Sequence, residues 1–97
     1  MDKVKVLFRK VKNPYTNKYE VVAFFPQLPA CYGNIVCYEH IGQHGEASLE
    51  FYRECKLATE EEYATLLSEL QSVYDDCILD VKKRMRYQDL LDMWCRR

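Results

Sequence analysis

The stretch YEVVAFF, residues 19–25, determines the architecture, because it predicts a β-strand that is apolar on both sides. β-branched and aromatic residues favour strands, and Pro26 directly afterwards ends one. Successive side chains of a strand point to opposite faces of its sheet. One face receives Val21, Ala23 and Phe25, and the other receives Val22 and Phe24. The sheet that contains this strand therefore has two apolar faces.

Two further strands are predicted around it. Residues 3–11 alternate charged side chains with Val4, Val6 and Phe8, which is typical of a half-buried strand. The polar stretch KNPYTNK, residues 12–18, has turn chemistry and joins the first two strands as an antiparallel hairpin. Residues 35–41, IVCYEHI, predict a third strand after a Pro- and Gly-rich loop.

The second half of the chain predicts one long helix over residues 59–74. Thr59 and Glu62 have the spacing of a capping box, in which each side chain accepts a hydrogen bond from the other residue's backbone N–H. An apolar stripe at helical spacing follows and is expected to pack on one face of the sheet: Tyr63, Leu66, Leu67, Leu70 and Tyr74.

The remaining segments complete an α+β prediction. Residues 49–55 fit a short strand or a helical turn equally well. Residues 77–83 alternate as a strand does, and the acidic pair Asp75–Asp76 is unfavourable at a helix C-terminus. Tyr87, Leu90, Leu91 and Trp94 predict a short C-terminal helix. We expect an antiparallel sheet of three or four strands, with one long helix packed on a face and a short C-terminal helix.

Length and composition place further bounds on the protein. Residues 1–97 suffice for a single domain, and no apolar run approaches the roughly 20 residues that a membrane-spanning helix needs. The first residues alternate charged and apolar side chains, unlike a signal peptide. The five cysteines include no Cys-x-x-Cys pair and are odd in number, so we expect free thiols and a cytoplasmic protein.

Charge is unevenly distributed although the net charge is only −1. Residues 1–18 and 81–97 are basic, whereas residues 46–80 are acidic. One interpretation is that basic strands lie beside an acidic helix and neutralise it. The alternative is a basic face for nucleic acid, formed by the first strand and residues 82–86.

The stretch CYEHIGQHGEAS, residues 37–48, holds both histidines of the chain. Cys37, His40 and His44 have the spacing C-x2-H-x3-H, and Cys31 or Cys55 could complete a tetrahedral zinc site. However, Cys37 and His40 point to opposite faces if both lie on one strand.

The same stretch allows two other interpretations. A cysteine with a histidine base and Gln43 as oxyanion donor would suit a nucleophilic enzyme. Alternatively, Gly42 and Gly45 supply the backbone freedom of a turn, with polar side chains as its ordinary occupants. We predict no catalytic residue, no metal and no cofactor, and a binding role for His40, Gln43 and His44.

Several segments resemble a family of small uncharacterised bacterial proteins. The similarity lies in VLFRK (6–10), VAFFPQLP (22–29), HIGQHG (40–45) and KLATEEEYATLLSEL (56–70). Leu57 departs from the family's pattern, which has proline there, and no glycine separates the helix 59–74 from residues 77–83. The resemblance implies this fold and a bacterial cytoplasmic protein, but no activity.

The function predicted from these features is protein–protein interaction without catalysis. The helical stripe covers one apolar face of the sheet, and an uncovered second face is expected to bind a partner. The alternative is a second face buried within the same chain, partly beneath the C-terminal helix. The eight tyrosines also favour protein contacts. We expect a homodimer or a subunit of a larger assembly that binds no membrane. The alternatives are a nucleic-acid-binding accessory protein and, further, a small Cys/His enzyme or zinc protein centred on residues 37–44.

Overall fold

A computed structural model describes residues 2–28, 30–31, 33–39, 44–89 and 91 of the chain. The described part is an α+β structure, with one sheet of six strands and helices on both faces. The elements are β1 (Asp2–Lys12), β2 (Tyr19–Phe25), β3 (Asn34–Tyr38), β4 (His44–Ser48), α1 (Leu49–Glu54), β5 (Lys56–Leu57), α2 (Glu60–Val73) and β6 (Cys77–Lys82).

The sheet is larger than the three or four strands predicted, and it is not wholly antiparallel. Its order is β4-β3-β2-β1, and β5 and β6 both pair with β1. β5 lies antiparallel opposite Arg9 and Lys10, whereas β6 runs parallel to residues 2–7. The residue before the cap of α2, Ala58, lies beside Phe8, and the strand after α2 begins opposite Asp2 at the start of β1. The strand that follows therefore runs in the same direction as β1.

The helix α2 confirms the predicted helix 59–74 to within a residue at each end. Thr59 Oγ1 accepts a hydrogen bond from the backbone N–H of Glu62 (3.3 Å), and Glu62 Oε1 accepts from the N–H of Thr59 (2.8 Å). The side chains of Leu66 and Leu70 are fully buried. They pack on the strand side chains Val6, Phe8, Ala23, Phe25, Val36 and Tyr38.

The opposite face of the sheet is covered by α1, a helix that the sequence did not distinguish from a strand. Ser48 caps it by accepting a hydrogen bond from the N–H of Phe51 (3.1 Å), and Tyr52 is buried on the sheet. The cluster on this face contains Leu7, Val22, Phe24, Ile35, Tyr52 and Cys55, with Phe51 and Met85 packed against it. Both apolar faces of β2 are therefore buried within one chain. The expectation that the second face lies open to a partner is wrong.

Helical structure in the described residues is divided more finely than predicted. Among the described residues, helical structure is divided between α2 with 14 residues, α1 with six, and a helical turn at 87–89 and 91. That turn lies within the predicted C-terminal helix, whose other predicted positions Leu90 and Trp94 are outside the described residues.

The alternation at 77–83 predicted β6 correctly. In the part of the chain described, no helix has the length and apolar character to cross a membrane.

Candidate functional site

His44 is the one predicted site residue that the structure describes, and it lies at the start of β4. The sheet register places it opposite Tyr38 of β3. Its ring packs against three aromatic rings, with centroid distances of 5.0 Å to Tyr38, 5.6 Å to Phe25 and 5.7 Å to Tyr74. The atom His44 Nε2 lies 2.6 Å from the hydroxyl of Tyr74. The histidine is thus held on the α2 face by tilted and edge-on ring contacts and by one hydrogen bond.

A second hydrogen bond fixes the neighbouring tyrosine. Tyr38 Oη donates to Glu69 Oε2 of α2 at 2.5 Å. This bond to a carboxylate, together with burial, raises the pKa of Tyr38 above its ordinary value. Burial also raises the pKa of Tyr74, with a smaller contribution from Cys77. Both phenols therefore keep their protons at neutral pH, and that of Tyr38 is donated to Glu69. The group formed by Phe25, Tyr38, His44, Glu69 and Tyr74 is named the His44 cluster below.

Cys37 is not brought together with His44. It packs with the cluster on the α1 face, whereas His44 lies on the α2 face of the same pair of strands. Burial, followed by the charge of Glu39, raises the pKa of the Cys37 thiol. A thiol held in its protonated form is a poor nucleophile and a poor metal ligand. The pairing of Cys37 with His44 for zinc or for catalysis therefore lacks the geometry that it needs.

The other candidate residues that the structure describes do not form a metal or catalytic site. His40 and Gln43 lie outside the described residues. Cys31 is exposed, and Cys55 is buried in the α1-face cluster. Where the structure is described, no three side chains from His, Cys, Asp and Glu are grouped to hold a metal ion. Cys37 and Cys55 are free thiols.

The outer edge of β4 is the second feature of this region. In an antiparallel pair, alternate residues exchange backbone hydrogen bonds with the neighbouring strand, and the residues between them direct their N–H and C=O groups outwards. The N–H of Leu49 donates to Gly33 O (3.1 Å), so Gly45 and Ala47 share this inward orientation. His44 and Glu46 therefore present their backbone groups at the outer edge. No strand among the described residues pairs with that edge.

The side chain of Glu46 links β4 to the loop before β3. Its Oε1 accepts hydrogen bonds from the N–H of Cys31 and from Asn34 Nδ2, both at 3.1 Å. These contacts hold the loop before β3, where Gly33 has a positive φ of 82°. Glu46 and His44 are both on the α2 face, because their register partners Val36 and Tyr38 pack with α2. An acidic and an imidazole side chain thus stand side by side along one edge.

Most basic residues of the first strand are engaged inside the chain. Lys5 Nζ is 2.8 Å from Asp89, and Lys10 Nζ is 2.7 Å from Glu62. Arg9 donates to the hydroxyl of Tyr52 (2.9 Å) and to Cys55 O (3.1 Å). Lys5 and Arg9 project towards the α1 face and Lys10 towards the α2 face. The strand therefore contributes no continuous basic face.

A cleft of about 380 Å³ lies elsewhere, where β5 and β6 diverge along β1. Phe8 and Tyr63 form its aromatic wall, stacked with ring centroids 4.3 Å apart. Its other lining residues are Leu57, Ala58, Thr59, Glu60, Val81, Lys82 and Lys83. None of these residues belongs to the His44 cluster, and the cleft contains no pairing of a nucleophile with a base.

Sequence reasoning identified His44 but missed the residues that hold it. Tyr74 was expected only as the last member of the helical stripe, and Tyr38 only as a strand residue. Nothing local connects them to His44, because Tyr74 is 30 residues away along the chain. Comparison of the chain with protein-family models, curated proteins and solved structures gave no match. The resemblance to a bacterial family stays a prediction.

Proposed function

We propose that this protein is a small non-enzymatic interaction module that binds an extended protein segment along the outer edge of β4. An exposed strand edge offers a row of backbone donors and acceptors, and addition of a strand is a common mode of peptide recognition. The observation that carries the proposal is the outward orientation of the backbone groups of His44 and Glu46, beside an ordered aromatic cluster.

The chemistry of the His44 cluster supports binding rather than catalysis. Two of its polar contacts join its own members, His44 Nε2 with Tyr74 and Tyr38 with Glu69. A general acid or base needs access to a substrate proton within hydrogen-bonding distance, and these contacts engage the groups that would supply it. A ring cluster held in place by such contacts suits a surface that presents side chains to a partner.

The alternative of nucleic-acid binding receives less support from the charges. The ion pairs of Lys5 and Lys10 neutralise much of the first strand, and Lys82 lies 3.6 Å from Asp80. Phosphate binding requires cations that can release counterions on contact. We also propose a bacterial cytoplasmic location, supported by the free thiols and by the family resemblance.

The test uses proline at position 46, whose N–H points out of the sheet. Glu46→Pro removes the outward N–H and blocks pairing at the edge, while the bonds between β3 and β4 do not involve that N–H. Glu46→Ala is the matched control, since it loses the carboxylate but keeps the N–H. Both variants are first compared with the native chain by circular dichroism.

The measurement is chemical crosslinking of the tagged chain in its own cells, followed by mass determination of the adducts. We expect the native chain and Glu46→Ala to give the same adduct and Glu46→Pro to lose it. An adduct that survives in folded Glu46→Pro, or the lack of any adduct in the native chain, would overturn the proposal.

A further inference from the structure

We propose that the segment bound at the β4 edge is a second copy of this chain, whose own β4 runs antiparallel to the first across a two-fold axis. This inference rests on the proposed function and names its partner. The two-fold axis would be perpendicular to the sheet, so the two sheets become continuous and both α2 helices lie on the same side. An isologous contact of this kind uses the same surface twice.

The backbone geometry limits how the two strands can be aligned. Outward-facing residues must oppose outward-facing residues, because only these can exchange hydrogen bonds. Centring the pair on Glu46 would place Glu46 opposite Glu46 of the second copy, and like charges directly opposite each other are unfavourable. Centring it on Gly45 instead places His44 opposite Glu46 of the second copy, and the reverse, so the alignment contains two complementary pairs.

Gly45 gives this alignment independent support. It would face Gly45 of the second copy in a pair without mutual hydrogen bonds, where the two Cα atoms approach to about 4.5 Å. Among the described residues, nothing in the fold of one chain requires glycine here. A Cβ added to Gly45 meets only Cys37 Sγ at 3.9 Å, an ordinary contact, and its φ is not in the left-handed region. A second backbone that approaches closely would explain why glycine occupies this position.

The order of the side chains along the edge also favours a second copy over an unrelated strand. The edge carries one imidazole and one carboxylate two residues apart on one face, so it is complementary to itself when reversed. The His44 ring is already fixed by Tyr74 and Tyr38, so little side-chain freedom is lost when it meets the opposite carboxylate. A partner with another sequence would need complementary side chains at the same two-residue spacing by coincidence.

The first experiment measures self-association of the purified full chain by sedimentation or light scattering up to about 0.1 mM. We expect a dimer with two-fold symmetry. Glu46→Lys places a cation opposite each His44 and is expected to weaken association about tenfold. Glu46→Gln, which keeps an amide oxygen for Cys31 and Asn34, should have a smaller effect. Equal effects of the two variants would contradict the pairing of His44 with Glu46 of the second copy.

The second experiment tests the alignment with cysteine pairs in a Cys37→Ala background, which removes the neighbouring thiol. Position 45 faces itself only when the dimer is centred there, and its Cα spacing suits a disulfide. Gly45→Cys should therefore form a disulfide-linked dimer faster than Glu46→Cys and faster than the Cys37→Ala parent. Faster linkage at position 46 would overturn the alignment.

The outcomes separate this inference from the function on which it rests. A purified chain that stays monomeric, while the cellular adduct still depends on position 46 and has a different mass, would refute self-pairing and leave the binding module standing. Loss of both the dimer and the position-dependent adduct would refute the two together.

Discussion

Removal of the Asp89 carboxylate should detach the C-terminal segment from β1. Asp89 Oδ1 lies 2.8 Å from Lys5 Nζ, and Oδ2 accepts a hydrogen bond from the N–H of Arg86 at 2.8 Å. The side chains of Lys5 and Asp89 are only 13% and 6% exposed. Asp89→Ala leaves the Lys5 ammonium without its partner in a largely dry environment.

The expected loss is about 3 kcal/mol in the free energy of unfolding, the lower end of the range for breaking a buried ion pair. The lower end applies because Lys5 has a long side chain that can turn towards water. A domain of this size has roughly 5–15 kcal/mol of stability, so the variant should still fold. Replacing both partners, as in Lys5→Met with Asp89→Leu, should cost less than Asp89→Ala, because no unpaired charge remains.

The effect should also depend on pH. Burial alone would raise the pKa of Asp89, but the hydrogen bonds from Lys5 and from the N–H of Arg86 outweigh it and lower the pKa. A carboxyl whose pKa is lower in the folded state contributes stability above its unfolded pKa, about 3.9 for aspartate, and loses it as the pH falls through the folded value. The native chain should therefore lose its advantage over Asp89→Ala on acidification.

Urea denaturation followed by circular dichroism at pH 7 and about pH 3 measures both quantities. We expect a gap of about 3 kcal/mol at pH 7 that narrows at the lower pH. A gap below about 0.5 kcal/mol at pH 7, the size of an ordinary surface substitution, would show that this ion pair does not hold the segment. A gap that does not change with pH would contradict the assigned role of the charge.

Three further predictions concern the two faces of the sheet and are checked by the same denaturation measurement. Thr59→Ala should cost about 1 kcal/mol by removing the cap of α2, whereas Thr65→Ala on the exposed helix surface should cost little; equal costs would exclude the capping box. Phe24→Ala should cost about 3–5 kcal/mol because the fully buried ring packs against Tyr52 at 5.0 Å; a cost below 1 kcal/mol would mean that α1 does not cover this face. Tyr52→Phe should cost about 1–2 kcal/mol by removing the acceptor for Arg9, and no change would show that this bond contributes nothing.

Local patterns were enough to predict the longer elements. The capping box and the stripe ending at Tyr74 located α2, since both signals lie within one continuous segment. Alternation of side chains located β1 and β6, whereas the β-branched and aromatic run before Pro26 located β2, which is buried on both faces. These elements follow from short-range sequence because each signal lies within one continuous segment.

The missed elements are short or are defined by distant partners. α1, β4 and β5 have six, five and two residues, which is too few for a period to be recognised. Their positions depend on β1 and β3, which the chain reaches only in three dimensions. For this reason the sequence did not predict that α1 covers the second face, and an open apolar surface was expected there instead. The proposed binding surface is the sheet edge beside His44 instead of that face.

Backbone amide hydrogen exchange along β4 at two protein concentrations bears on the edge-pairing account without any mutation. The N–H groups of Gly45 and Ala47 point towards β3 and should be protected at both concentrations. The N–H groups of His44 and Glu46 point outwards, so we predict that their exchange slows at least about tenfold between about 10 µM and about 1 mM chain. Exchange at His44 and Glu46 that is fast and identical at both concentrations, with Gly45 and Ala47 still protected, would show an edge that no second copy occupies.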